Sequence, residues 1–242
     1  MILLLDAGNS HLKWAQLSEG TLTPFDFGVC AYTHLDTFQT LLKSLPNIKS
    51  IIGVAVCGTE KQTQIDDCSL QPITWQKSQK SALGITNHYE REEEHGPDRW
   101  FNVLGARLFC PDQPLIVVSS GTAITVDAIT DDQQYLGGSI LPGIHLMHQS
   151  LTHNTAHLNK ALGQHQDFAR NTADAIVTGI IDAACGAIDK QKLRLQQFCQ
   201  SNQVKTILTG GNATILHPFL DKDTQTVDNL VLFGLARWVN QL

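Results

Sequence analysis

The feature that most constrains the fold is an internal repeat of a strand, a glycine-bearing turn and a second strand. The first copy covers residues 3–17 with its turn at Gly8, and the second covers residues 116–128 with its turn at Gly121. Superposing Gly8 on Gly121 also superposes the flanking strands, and the β-branched residues of the second copy favour a hairpin. Two copies separated by about half of the chain length predict a duplicated domain.

Strands and helices are mixed along both halves, which predicts an α/β fold. The segment Pro111-Asp112-Gln113-Pro114 is the expected boundary, giving domains 1–112 and 113–242. The apolar spacing predicts helices over 35–45, 99–110, 143–151 and 172–199 and from 229 onward, and strands over 50–57, 134–141 and 205–208. Asn171 or Thr172 is the expected N-cap of the long helix.

The chain has 17 Lys and Arg against 23 Asp and Glu, a net charge of −6. Nucleic acids and anionic membranes are bound largely through clustered Lys and Arg, and no window of this sequence concentrates them. The opening apolar run, 1–5, lacks a basic flank and meets Asp6 too early for a signal peptide. We therefore expect a cytoplasmic protein without a nucleic acid or membrane partner.

The first turn carries a set of groups that suits a phosphate. Asp6 ends an apolar strand, Gly8 lets a ligand approach the backbone, Asn9 and Ser10 are donors, and Lys13 returns on the next strand. Turn N–H groups and one cation cradle phosphate oxygens, while the carboxylate is suited to Mg²⁺. An ordinary hairpin turn uses the same residues. The second glycine-bearing turn, and a third at 210–211, favour the phosphate interpretation.

The segment 95–100, His-Gly-Pro-Asp-Arg-Trp, places a carboxylate beside a guanidinium at an expected helix start. In one interpretation Asp98 caps the helix and Arg99 forms a surface ion pair. In the other, Asp98 accepts a proton from a substrate hydroxyl and Arg99 binds an anionic substrate group. Phosphoryl transfer needs little more from a protein than positioning, charge neutralisation and such a base.

These motifs together resemble the type III pantothenate kinases, of the superfamily that includes actin, hexokinase and acetate kinase. The resemblance spans nearly the whole chain, and its ordered pieces are 6–10 with 13–14, 96–100, 121–123 with 127, 137–151 and 209–211. It implies two tandem ribonuclease-H-like domains with ATP in the cleft between them, and a homodimer that completes the pantothenate site.

The resemblance also implies residue roles. Asp98 is the expected general base, and Asp6 is the expected Mg²⁺ ligand. The expected ATP contacts are Asp6, Ala7, Gly8, Asn9, Ser10, His11, Leu12, Lys13 and Thr122. The expected pantothenate contacts are Tyr89, Gly96, Pro97, Asp98, Arg99 and, from across the dimer, Thr172.

One position departs from the family pattern. The strand before Gly-Thr-Ala usually ends in an aspartate that binds a monovalent cation, and here that position is Ser119. Because a hydroxyl brings no negative charge, we expect the K⁺ or NH₄⁺ requirement to be weakened, altered or met by other oxygens.

The expected activity is ATP-dependent phosphorylation of pantothenate to 4′-phosphopantothenate, the first step of coenzyme A biosynthesis. Two alternatives stay open at this point. The acceptor could be another small hydroxylated metabolite, or the chain could be a catalytically weakened, nucleotide-binding regulatory homologue, for which Ser119 is the motivating feature.

Overall fold

A computed structural model describes residues 1–154 and 163–241 of the chain. Its contacts divide the chain into two compact units. The first unit comprises Met1–Pro111, Gln133–Tyr135 and Asn229–Leu242, and the second comprises Asp112–Asp132 and Leu136–Asp228.

The elements alternate along the chain as an α/β fold requires. The first unit begins with β1 (Ile2–Ala7), β2 (His11–Leu17), β3 (Phe25–Ala31), α1 (Leu35–Ser44), β4 (Ser50–Ala55), α2 (Thr59–Cys68), β5 (Ile73–Gln76), β6 (Ser81–Ala82), β7 (Ile85–Asn87) and α3 (Pro97–Ala106). There follow β8 (Leu115–Ser120), β9 (Ala123–Ile129), β10 (Gln134–Pro142), α4 (Ile144–Asn154), α5 (Thr172–Cys199), β11 (Lys205–Thr209), α6 (Ala213–Leu216), β12 (Gln225–Thr226) and α7 (Leu230–Val239).

The first sheet has β1 at its centre, in the order β3-β2-β1-β4-β5. β2 runs antiparallel to β1, whereas β4 and then β5 continue the sheet in parallel. Leu3, Leu4 and Leu5 are fully buried because both faces of this central strand are covered. Leu3 and Leu5 pack with Phe38 of α1, and α7 lies against β1 as well.

The second unit repeats this arrangement. The sheet that contains β8 has seven strands in the order β12-β11-β8-β9-β10-β7-β6, with β9 antiparallel and β11 parallel to β8. The order of its first five strands matches that of the first sheet, with β8 in the place of β1, and the strands on either side of β8 run in the same directions as those on either side of β1. This match confirms the predicted α/β class and the two ribonuclease-H-like halves.

The closing helix α7 belongs to the first unit, which differs from the expected domain of residues 113–242. The reason is close packing against α3. A Cβ atom on Gly105 would lie 2.3 Å from the Leu230 carbonyl oxygen, and one on Gly234 would lie 1.9 Å from that of Phe101. The two glycines let the helix backbones touch, so the apolar face of α7 is buried on α3. The first change of unit, between Pro111 and Asp112, falls one residue before the expected boundary.

The limits of α3 differ from expectation, whereas the start of α5 confirms it. α3 starts at Pro97 rather than Arg99 and ends at Ala106, because proline is well suited to the first helical position. The N-cap of α5 is Asn171, whose side-chain oxygen accepts a hydrogen bond from the Asp174 N–H. Among the described residues, no helix is both long and apolar enough to cross a membrane.

Candidate active site

The predicted nucleotide residues of the first half form one continuous hairpin turn. The register of β1 and β2 places Asp6 directly opposite Lys13, and the Gly8 N–H closes the turn by donating to the His11 carbonyl oxygen at 3.1 Å. Side chains of directly opposed strand residues lie on the same face of a sheet. The carboxylate and the ammonium therefore stand side by side at the end of β1.

Neither steric contact nor backbone conformation within the protein requires glycine at the two repeated turns. A Cβ atom on Gly8 would lie 3.5 Å from the His11 carbonyl oxygen, and one on Gly121 would lie 3.9 Å from that of Ala123. Both distances are ordinary contacts, and neither glycine has a positive φ. Without a side chain at these positions, the backbone of each turn is open to the close approach of a ligand.

Asp6 is electrostatically perturbed. Burial raises its pKa to about 6, against the opposing effect of Lys13 and with a further increase from the negative charge of Asp98. The carboxylates of Asp6 and Asp98 repel each other electrostatically, and a cation bound beside them would relieve this repulsion. Mg²⁺ is commonly held by one or two carboxylates together with substrate phosphates, so the donors present fit this ion.

The first turn of α3 holds Asp98 without using it as a cap. Gly96 is the N-cap residue and Pro97 is the first helical residue, while the Asp98 Oδ1 atom accepts the Arg99 N–H at 2.9 Å. A Cβ atom on Gly96 would lie 2.7 Å from Asp98 Oδ1. The interpretation of Asp98 as the helix N-cap is therefore wrong, and the glycine makes room for the carboxylate.

Arg99 is buried rather than part of a surface ion pair. Its side chain is 3% exposed, and its Nη1 atom donates to the Tyr89 hydroxyl at 2.9 Å. The guanidinium carbon lies 5.6 Å from the centre of the Tyr89 ring. The structure thus brings together two of the predicted pantothenate contacts that are ten positions apart in the sequence.

An aromatic stack behind Tyr89 was not evident from the sequence. The His95 ring packs against both Tyr89 and Tyr135, with ring centres at 4.5 Å and 4.8 Å, and the two tyrosine ring centres lie 6.5 Å apart. Its Nδ1 atom is 3.1 Å from the Asn87 amide nitrogen. Burial, together with the positive charge of Arg99, lowers the pKa of His95 to about 3. The imidazole is therefore neutral near pH 7 and accepts the amide N–H at Nδ1.

The second unit carries the other predicted residues. Thr122 is exposed in the turn between β8 and β9, and its carbonyl oxygen accepts the Gly143 N–H at 2.9 Å. Ser119 lies two residues before Gly121, which is the position of Asp6 relative to Gly8. Its strand neighbours are Thr125 on β9 and Thr209 on β11.

Thr172 lies apart from that turn in the sequence, as the exposed first residue of α5. Within the described residues, no group of three or more His, Cys, Asp and Glu side chains is arranged to hold a metal ion.

Comparison with known proteins gives the family. The sequence model of type III pantothenate kinase matches residues 2–194. A type III pantothenate kinase of Chromobacterium violaceum is 38% identical over 243 residues, covering 99% of this chain and 100% of that protein. One of Laribacter hongkongensis is 37% identical, covering 98% and 97%.

Solved structures support the same fold at low sequence identity. A Baf family protein from Campylobacter jejuni is similar with a TM-score of 0.60 and 21% identity, covering 99% of this chain and 98% of that one. A polyphosphate/ATP-glucomannokinase from Arthrobacter is similar with a TM-score of 0.50 and 12% identity, covering 100% and 99%. The family match and the full-length relatives show that this chain belongs to the type III pantothenate kinase family.

Proposed function

We propose that this chain transfers the γ-phosphoryl group of ATP to the primary hydroxyl of pantothenate, giving 4′-phosphopantothenate and ADP and so opening coenzyme A biosynthesis. The bond between the γ-phosphorus and the oxygen that leaves with ADP breaks, and a bond from that phosphorus to the pantothenate oxygen forms. The hydroxyl proton goes to the Asp98 carboxylate.

The observation that carries the proposal is the setting of Asp98. Its carboxylate lies at the start of α3, where Gly96 leaves room for it, and its charge acts on Asp6 of the phosphate turn. A base that removes a hydroxyl proton must stand near the groups that hold the phosphoryl donor. The effect of the Asp98 charge on Asp6, which belongs to the same unit, supports Asp98 as this base.

The neighbours of Asp98 suit pantothenate, which carries a carboxylate as well as hydroxyl and amide groups. Arg99 supplies a buried guanidinium for an anionic group, and the Tyr89 hydroxyl is held against it. Gly96 and Pro97 directly precede the base at the start of α3. We assign these residues to the acceptor site.

For the nucleotide, we assign the turn from Asp6 to Lys13 to the phosphates, with Ala7, Gly8, Asn9, Ser10, His11 and Leu12 between them, and Thr122 to a further ATP contact. Lys13 offsets phosphate charge. Mg²⁺ bound at Asp6 neutralises charge on the phosphates and polarises them when it is present. The raised pKa of Asp6 supports this role because the carboxylate is buried, and a bound cation would favour its ionised form.

We also propose a homodimer in which Thr172 of one protomer reaches the pantothenate bound to its partner. The exposure of Thr172 at the start of α5 supports this. A complementation experiment tests it: Thr172→Ala and Asp98→Asn proteins are each weakened, and are then mixed under conditions that exchange protomers. Random exchange makes half of the dimers heterodimers, and each heterodimer has one intact site out of two. About a quarter of wild-type activity should therefore return. If no activity returns despite exchange, Thr172 does not serve the partner.

The assignment of the base is tested with Asp98→Asn, which keeps the size of the side chain and removes its basicity. We expect kcat to fall by about 100-fold or more while the Kd for ATP changes by less than about threefold. Asp67→Asn is the matched control, because Asp67 is an exposed aspartate on α2 of the same unit. Equal turnover in Asp98→Asn and the control would exclude Asp98 as the base.

Ser119 is the observation behind a second candidate, a nucleotide-binding regulator with weakened catalysis. We propose that the K⁺ or NH₄⁺ requirement is reduced here, since the Ser119 hydroxyl brings no charge. ATP binding without phosphoryl transfer to pantothenate or to any member of a panel of small hydroxylated metabolites would favour the regulator. Transfer to a different member of the panel would favour another acceptor.

A further inference from the structure

Two side chains from distant parts of the first unit donate hydrogen bonds to carbonyl groups of the first turn, between β1 and β2. The Tyr32 hydroxyl donates to the Gly8 carbonyl oxygen at 2.6 Å, and the Lys61 ammonium donates to the Asn9 carbonyl oxygen at 2.6 Å. Lys61 lies in the first turn of α2, and Tyr32 directly follows β3. Neither residue belongs to the turn or to its strands.

The two side chains also hold each other. The Lys61 Nζ atom lies 4.6 Å from the centre of the Tyr32 ring, which is a cation–π distance. Burial and the neighbouring Cys57 thiol raise the pKa of the Tyr32 hydroxyl, so it stays protonated and remains a donor. Tyr32, Lys61 and the two carbonyl groups therefore form one connected brace.

The planarity of the peptide bond means that this brace also fixes the direction of backbone N–H groups on the opposite side of the turn. A trans peptide is planar, and its N–H points away from its C=O. The chain has no cis peptide bond among the described residues. Fixing the Gly8 and Asn9 carbonyl oxygens therefore fixes the directions of the Asn9 and Ser10 N–H groups, which face away from Tyr32 and Lys61.

Charge supports the same conclusion. Lys13 stands opposite Asp6, so a carboxylate already offsets its charge. None of the ion pairs found in the described part of the chain includes Lys61. The ammonium of Lys61 thus adds positive potential at the turn that no carboxylate in contact cancels.

We propose that Tyr32 and Lys61 are positioning residues for the nucleotide: they hold the first turn so that the N–H groups of Asn9 and Ser10 are presented to the phosphate chain. This inference rests on the proposed function, because it takes a nucleoside triphosphate as the ligand of the turn. It assigns to both residues a role that no motif in the sequence indicates.

The test measures Mg-ATP binding by calorimetry without an acceptor, so that no turnover is needed. Tyr32→Phe removes only the hydroxyl, Lys61→Met removes the ammonium, and Lys61→Arg keeps a cationic donor. We expect the Kd for Mg-ATP to rise about tenfold in Tyr32→Phe and Lys61→Met and to return to within about threefold of wild type in Lys61→Arg. The control Lys43→Met removes an exposed lysine of α1 and should bind as wild type does.

A purely structural brace would behave differently. It would lower the melting temperature and change the KM values for ATP and pantothenate together, or change neither. We expect the KM for pantothenate to stay within about twofold in all four variants, because Arg99 and Tyr89 are not part of the brace. Wild-type affinity for Mg-ATP in both Tyr32→Phe and Lys61→Met would overturn the proposal.

The outcome for this proposal is separable from that for the proposed function. If wild-type protein binds Mg-ATP but phosphorylates no pantothenate, the function fails while the brace is still tested by affinity. If it phosphorylates pantothenate and the variants bind Mg-ATP normally, the brace fails and the function stands. If wild-type protein binds no nucleotide at all, both are overturned.

Discussion

Replacing Asp6 with asparagine should stabilise the free protein at neutral pH while damaging its function. The carboxyl of Asp6 has a folded-state pKa of about 6 against an ordinary value of 3.8. At about 1.4 kcal/mol for each pKa unit, holding this carboxylate ionised in the fold costs about 3 kcal/mol relative to the unfolded chain. Asn keeps the shape of the side chain and has no charge to bury.

The sign of the pH dependence follows from proton binding. Between about pH 4 and pH 6 the folded state holds a proton on Asp6 that the unfolded state has lost. The stability of the wild-type protein therefore falls as pH rises through this window. The advantage of Asp6→Asn should be near zero below pH 4, about half-developed at pH 5 and complete above pH 7.

The assay is urea unfolding followed by tryptophan fluorescence, without Mg²⁺ or nucleotide. All four tryptophans, Trp14, Trp75, Trp100 and Trp238, lie in the first unit, which also contains Asp6. Their emission therefore reports the unfolding of the unit that the substitution affects. A variant no more stable than wild type at pH 7.5, or one with the same gain at pH 4 and pH 7.5, would refute the electrostatic reasoning.

Three further substitutions have defined expectations. Gly96→Ala places a Cβ atom 2.7 Å from Asp98 Oδ1, so the carboxylate must rotate away. Steady-state kinetics should therefore show kcat reduced by about tenfold with the affinity for ATP unchanged. Ser119→Asp restores a charge before the second turn, and should increase the ratio of activity in potassium buffer to activity in tetramethylammonium buffer; an unchanged ratio would contradict the assignment of this position. Gly234→Ala places a Cβ atom 1.9 Å from the Phe101 carbonyl oxygen, and overpacking at the α3–α7 contact should destabilise the protein by about 3 kcal/mol in thermal unfolding; a wild-type melting temperature would show that the helices move apart without cost.

The duplicated fold was predictable because its signal is local. An apolar run that stops at a glycine-bearing turn predicts a central strand and a hairpin, and two such copies predict two similar sheets. The turn residues from Asp6 to Lys13 are consecutive, so their grouping follows from the hairpin alone. The start of α3 was also marked, since Pro97 is a typical first helical residue, and the expected start at Arg99 overlooked it.

The rest depends on contacts that no local pattern encodes. Lys61 is 52 positions from Asn9, and nothing around it distinguishes it from an exposed lysine of a polar helix. His95 and Tyr135 meet only because the first residues of β10 pair with β7. The apolar face of α7 shows that the helix is buried, but only Gly105 and Gly234 together show that its partner is α3.

The central claim is most directly tested by the release of ADP from Mg-ATP when pantothenate is added, with the product identified by mass. We predict that ADP release depends on pantothenate, that the product is pantothenate carrying one phosphoryl group, and that Asp98→Asn lowers the rate by at least about 100-fold. No release above the rate without pantothenate, in protein that still binds Mg-ATP, would contradict it.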